Sequence, residues 1–314
     1  GTTYTFSNLN DLLANRPSGI QILGDVSAPN PLHNGIATNR YLKQQYSIFY
    51  AQDEWRIRPN LTLNYGLRYE YYSPLRENQD LYTLFIVEKG DLATGDWYKS
   101  SKTNFGPRLA LSWSPTRFNN KTVLRIGAGY YYGPGQTEDQ IQPIDSDRVT
   151  VNLTNTAFPV NSQQIIASVD PSKLSGFQPR AYSSGYTLPE KVLSYTASIQ
   201  QQLPGNVVLT VAYVGSQGRN LFLRSWTNGI VGVTMNPTTG AGNPVLQFGS
   251  KFAQLDYKTS GGTDHYDSMQ TSMQRRFSKG FTIGGQWTYG HSLGNTGGSN
   301  EAQTAQNPFN FEAD

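Results

Sequence analysis

The clearest chemical spacing in the chain is Gly290-His291-Ser292-Leu293-Gly294. It fits the G-x-S-x-G nucleophile elbow, where a strand turns sharply into a helix and exposes a serine hydroxyl. A hydrolase of that type also needs an acid and then a histidine downstream. No histidine follows Ser292, and the next residues, NTGGSNEAQ, read as loop. The three histidines, His33, His265 and His291, are far apart and lack the spacing of a shared metal site. Asp145-Ser146-Asp147 offers oxygens to calcium, but the rest of an EF-hand loop is missing. Gly127-Ala128-Gly129 runs into tyrosines within a strand pattern, so it is no phosphate loop opening a helix. These residues assign no catalytic group, no cofactor and no metal; the chain reads as a non-enzyme.

The remaining polar residues of interest recur at alternate positions: Arg68, Glu70, Arg108, Arg125, Gln200 and Gln286. Their neighbours explain why. Leu61, Leu63, Tyr65, Leu67, Tyr69 and Tyr71 are apolar or aromatic, and Thr62, Asn64, Gly66, Arg68 and Glu70 between them are polar or small. A period of two is a strand with one greasy and one wet face. The same alternation returns in Phe105 to Trp113, Leu124 to Tyr132, Leu193 to Ile199, Val207 to Tyr213 and Phe281 to Tyr289. It defines four hairpins, near residues 41–72, 105–132, 192–223 and 264–290, with short connections RPN, PTRFNNK, PGN and SKG. Long segments, residues 73–103, 133–191 and 225–263, join one hairpin to the next. A helical turn is expected at residues 10–15, loop at 21–39 and a short helix at 161–169.

Strands of about ten residues match a tilted crossing of a bilayer's hydrocarbon core. Short turns on one rim and long loops on the other are the mark of outer-membrane barrels. Trp55, Trp113, Phe277 and Phe281 fall near the turns; Tyr69, Tyr71, Tyr72, Tyr130, Tyr132 and Tyr289 fall near the loops. Two aromatic belts are what a membrane's interfaces select, whereas a soluble β-sandwich or propeller has no reason to sort aromatics by height. The expected fold is all-β, an antiparallel up-and-down transmembrane β-barrel with short periplasmic turns and long extracellular loops. The six polar residues named above are expected to face its lumen. Asp53 shares the parity of Phe49 and Trp55, which aims it at lipid, where a charge at mid-depth costs on the order of 2–4 kcal/mol. It therefore lies near the turn-side interface, or a β-bulge shifts its parity.

Composition agrees. Only 37% of the 314 residues are hydrophobic, yet there are 20 tyrosines and 31 glycines, which suits a sheet greased on one face. Mean hydropathy is −0.51, a value that does not register barrels, whose lumen half is polar. Net charge is +3 with both signs dispersed, so no basic block suggests nucleic acid. Cysteine is absent, which removes disulfides and thiolate chemistry.

YAQDEWRIRPNLTLNYGLRYE resembles the barrel of TonB-dependent outer-membrane transporters, most of all the group with a carboxypeptidase-regulatory-like domain ahead of the plug. FGPRLALSWSP with TVLRIGAGYYYG, LSYTASIQQQLPGNVVLTVAYVGSQGRNL, and YDSMQTSMQRRFSKGFTIGGQWTYGHSL resemble further hairpins of that family. The resemblance covers about residues 46–293. It implies a bacterial outer-membrane location and contact with outer-membrane lipid. It also implies a lumen filled by a plug domain, coupling to the TonB complex and uptake of a glycan, siderophore or peptide. The family's barrel has about 22 strands. Eight are legible here with no plug domain, so the whole chain, residues 1–314, is expected to be one partial barrel cut at both ends. Closure of the eight into a small barrel is the alternative fold. A structural or adhesive barrel whose loops bind surfaces is the alternative function. Ligand capture, if carried by the loops, points to Trp97 and Tyr98.

Overall fold

In a computed structural model, the structure describes residues 2–25, 41–78, 80, 82–135, 137–145, 148–153, 159, 161, 178–278, 280–296, 307 and 310. Eight long strands make an antiparallel wall: β1 (Tyr46–Arg58), β2 (Leu61–Tyr72), β3 (Phe105–Trp113), β4 (Thr122–Gly133), β5 (Glu190–Leu203), β6 (Val207–Thr227), β7 (Leu255–Ser278) and β8 (Phe281–Gly294). Each pairs with its neighbour in sequence, in the order β1 to β8. Among the described residues β1 pairs only with β2, and β8 only with β7, so the eight strands do not close on themselves. The tight connections use residues that tolerate a left-handed backbone, as Gly205 (φ 76°) and Asn206 (φ 62°) do between β5 and β6.

Register sorts the side chains. Residues directly opposite across antiparallel strands share a face. Trp55, Leu63, Leu111, Ile126, Ala197, Tyr213, Met269 and Tyr289 form one unbroken row across all eight strands. This apolar face is uncovered: Ile126 is 59% exposed and Trp287 55%. A wall this greasy on an open face suits hydrocarbon, not water. The opposite face is mostly polar or small, with Ile48, Tyr50, Val123, Val192 and Val208 among its exceptions. A bulge lies between Arg56 and Arg58, on the turn side of Asp53, so it does not change the face of Asp53. Asp53 pairs with Tyr65 on the apolar face, its carboxylate accepting from the Tyr65 hydroxyl at 3.1 Å. Tyr72 departs from the expected aromatic belt: it shares the polar face with Glu70, and its hydroxyl donates to the Glu70 carboxylate. The Phe277 side chain lies outside the described ones.

The long segments are more ordered than loop composition suggests. β6 and β7 run 21 and 24 residues, well past the expected hairpin limits of 223 and 264. Gly261 and Gly262 read as a loop signal, but they sit inside β7, where Gly261, like Asn220 on the facing β6, takes positive φ and the β6–β7 register shifts. They are bulge glycines, a role that composition does not separate from a turn. Beyond the bulge, the strand Arg180–Tyr182 runs parallel to β7, and Leu84–Ile86 runs parallel to it in turn. Segments from two inter-hairpin connections thus extend the sheet as a lobe on the loop rim. Its buried residues include Tyr82, Leu84, Trp97, Tyr98, Tyr182, Tyr186 and Phe222, with Phe85, Phe252, Leu255 and Tyr257 in a second cluster. Nearly all the large, fully buried apolar side chains among the described residues belong to this lobe.

The helix Leu9–Leu13 realises the expected turn, its Asn8 side chain accepting from the Asp11 N–H. Residues 21–39 are not all loop: the strand Gly19–Asp25 pairs with Thr2–Thr5 and Arg148–Leu153. The helix Thr137–Asp145 lies within the 133–191 connection. Most of residues 161–169, where a helix was expected, lie outside the described residues, as do His33, Ser146 and Asp147.

Candidate functional site

The polar face brings the six alternating residues onto one surface. Arg68 and Glu70 lie two apart on β2 and form an ion pair, Nε to Oε1 at 2.6 Å. Glu70 is 4% exposed, held between Arg68 and the Tyr72 hydroxyl. Arg125 on β4 donates from Nη1 to Gln200 Oε1 on β5 at 2.9 Å. Gln286 on β8 lies opposite Ser272 on the same face. Arg108 on β3 stacks on the Tyr131 ring, 4.4 Å from its centroid. Tyr131 shares the parity of Arg125 and Gly129, so its place was legible, but its role as the cover of Arg108 was not.

One row across this face reads Gln52, Gly66, Arg108, Gly129, Ser194, Ser216, Tyr266, Ser292. Small residues around it leave a hollow of about 570 Å³, lined among others by Asn64, Ala110, Gly127, Thr196 and Val214. Ser292 thus lies within paired strand β8, which continues to Gly294 opposite Asp264. There is no strand-to-helix turn at Ser292 and so no nucleophile elbow.

The apolar face carries its own polar cluster. Tyr195 on β5 crosses above Gly215 on β6, and its hydroxyl reaches Asp267 Oδ1 on β7 at 2.9 Å; the Tyr213 hydroxyl donates to the same oxygen. His291 pairs with Asp267 in register, and His265 lies two residues along β7. The register thus gathers two histidines that are distant in sequence. Even so, no group of three His, Cys, Asp or Glu among the described residues is placed to hold a metal ion.

Trp97 and Tyr98 lie inside the lobe, each 2% exposed. Trp97 packs edge-on against Tyr82 at 5.0 Å. The Tyr98 hydroxyl accepts from the Leu75 N–H (2.7 Å) and donates to Gln140 Oε1 (3.0 Å). Burial pushes the Tyr98 phenol above its ordinary pKa, and the hydrogen bonds from Leu75 and Gln44 draw it part of the way back. Neither ring offers a face to solvent in this arrangement.

Sequence reasoning missed the lobe's ionic staple. Asp256 on β7, 2% exposed at its side chain, accepts from Arg180 Nη1 at 2.5 Å and from Arg224 Nε at 2.8 Å. Lys258, fully buried, donates to Gln142 Oε1. Arg180 and Gln142 come from the 133–191 connection and Arg224 from β6, all distant in sequence from Asp256 and Lys258, so no local pattern announces them. Glu88 also ties the lobe together, accepting from the Ser183 hydroxyl (2.6 Å) and the Ser184 N–H (2.8 Å). Burial alone would raise its pKa, but those hydrogen bonds outweigh it and hold Glu88 below the usual carboxylate value.

A family model described as "Outer membrane beta barrel domain" matches residues 1–314. No curated protein matches the chain. Among solved structures it is similar to the outer membrane transporter YddB from Escherichia coli, at 16% identity and a TM-score of 0.44, covering 80% of this chain and 25% of that one. It is similar also to the copper transporter OprC (11% identity, TM-score 0.43, 80% and 30% covered). The siderophore receptor PirA from Pseudomonas aeruginosa is a third such structure (13% identity, TM-score 0.39, 79% and 34% covered). The chain spans about a quarter to a third of the length of these three proteins.

Proposed function

The chain belongs to the family of outer membrane beta barrel domains, and from that premise we propose that it is a stretch of wall in a TonB-dependent transporter. Its location is the bacterial outer membrane. In this reading the apolar face meets outer-membrane lipid and the polar face, with Arg68, Glu70, Arg108, Arg125, Gln200 and Gln286, lines the lumen. The tight turns lie in the periplasm and the lobe stands outside the cell. The transporter is of the group with an N-terminal carboxypeptidase-regulatory-like domain, its lumen holds a plug, and TonB drives uptake of a scarce glycan, siderophore or peptide. The observation that carries the reading is the division of the wall. Eight strands in register present arginines, amides, hydroxyls and glycines on one face and exposed hydrophobics on the other, as a solute-handling barrel requires.

The test is uptake by cells lacking the gene for the full-length protein, compared with the parent, using radiolabelled ferric siderophores, oligosaccharides and peptides with and without a protonophore. Loss of energy-dependent uptake of one class supports the proposal. Unchanged uptake of all three classes refutes it. The lobe's own hydrophobic core favours one second reading, a rigid adhesive surface. In that case deleting the gene abolishes cell attachment to a glycan-coated or protein-coated surface and leaves uptake intact.

A further inference from the structure

We infer that Arg108 is a receiving site for a carboxylate on the polar face, an inference that rests on that face lining the lumen. The neighbouring cations on this face have partners. Arg68 is held by Glu70, Arg125 by Gln200, and Arg56 by Glu54 at 3.2 Å. Arg108 makes no hydrogen bond and no ion pair among the described residues, and its Nε is buried without a partner. Its one specific contact is the stack on Tyr131. Leaving a charged donor both shielded and unpaired is unfavourable, and an arriving acceptor removes that penalty.

The backbone prepares the position. Arg108 is flanked in register by Gly66 on β2 and Gly129 on β4. A Cβ on Gly129 would sit 3.0 Å from Arg108 Cγ, so glycine lets the arginine stem lie across β4 toward Tyr131. The ring then covers the guanidinium carbon, and the two terminal nitrogens carry no hydrogen bond among the described residues. A planar fork with a free edge matches the two oxygens of a carboxylate. The hollow beside it has room for such a group, and Ser194, Thr196 and Ser216 add hydroxyls along its lining. Arg108 is the single charged residue of its row, so nothing in that row competes for the incoming anion.

The carboxylate has two sources, an acidic side chain of a polypeptide segment seated in the lumen or a small carboxylate solute. Both are tested on the purified full-length protein in detergent. In the first arm citrate is titrated calorimetrically. Arg108→Gln raises the Kd for citrate about tenfold or more, the loss expected for one charge-assisted pair. Arg108→Lys, which keeps the charge but not the fork, falls between, and Arg125→Gln stays near wild type. In the second arm Ala110→p-benzoylphenylalanine places a photocrosslinker beside Arg108. A crosslink to an Asp- or Glu-bearing segment of the protein, lost on adding Arg108→Gln, identifies the polypeptide source. An Arg108-dependent signal in either arm supports the site and names its source. Independence from Arg108 in both arms, with heat-modifiable mobility on gels showing the variants folded, overturns it. Neither arm uses uptake, so failure of the transport reading and failure of this site are read separately.

Discussion

Gly215 lacks a side chain where the Tyr195 ring lies: a Cβ there would fall 2.3 Å from the ring carbon Cε2. The ring is the mobile end of a side chain, so Gly215→Ala is expected to swing it aside, not to break the strand. The cost is the hydrogen bond to Asp267, about 1 kcal/mol. Tyr195→Phe should cost a similar amount, and the double variant little more than either alone, because both changes remove the same bond. Urea midpoints for unfolding from lipid vesicles measure all three; full additivity would show that the glycine serves something else. Trp97 poses a different question. Its type and loop position suggested ligand capture, but burial beside Tyr82 makes it a core residue in this fold. Trp97→Ala should destabilise the lobe by about 3–5 kcal/mol. Limited proteolysis should then cut residues 73–104 while the wall strands stay protected. A protected lobe with altered ligand affinity would return Trp97 to a binding role.

Two strands owe their length to what packs against their ends. β6 and β7 leave the membrane-matched pattern near Gly218 and Gly262 and continue because the lobe covers them. Leu255, Asp256, Tyr257 and Lys258 are all buried in succession, so period-two reading stops working there. Asp256 fastens this extension by gripping one arginine from β6 and one from the Arg180–Tyr182 strand. Removing one member of a buried ionic group strands the others, so Asp256→Ala should cost the lobe about 3–5 kcal/mol. Hydrogen exchange should rise in residues 180–188 and 222–227, and remain low in β2 to β5. The turn at 183–186 carries a pH dependence of known sign. Glu88 has a lowered pKa when folded, so its stabilising contribution is present above the ordinary carboxylate value. It is lost as pH falls through the lowered folded-state value. Proteolysis at this turn should be slow at pH 7 and accelerate in acid below about pH 4, and Glu88→Gln should flatten the profile.

At the scale of the whole molecule the wall is a partition, and the absence of cysteine from these 314 residues makes it easy to probe once any cysteine elsewhere in the full-length protein is replaced. In the full-length protein in vesicles, single cysteines at Leu63, Leu67, Leu109 and Ile126 should react with lipid-phase reagents. Cysteines at Thr62 and Arg68 should react only with aqueous ones; the reverse pattern would invert the faces. That partition was legible in the sequence, because side-chain direction alternates with every residue of an extended strand and the chain repeats the alternation hairpin after hairpin. Pairing within each hairpin was legible too, since a short connection leaves its two strands little choice of neighbour; pairing between hairpins followed only from the expected up-and-down architecture. The lobe was not. Local periodicity carries no information about which distant segments meet, and the 73–103 and 133–191 connections acquire a core only by packing on each other and on the ends of β6 and β7. The six polar-face residues show the same boundary. Parity alone placed them together. That Arg68 and Arg125 are satisfied while Arg108 rests on Tyr131 depends on cross-strand distances, which register and side-chain packing decide only once the sheet has formed.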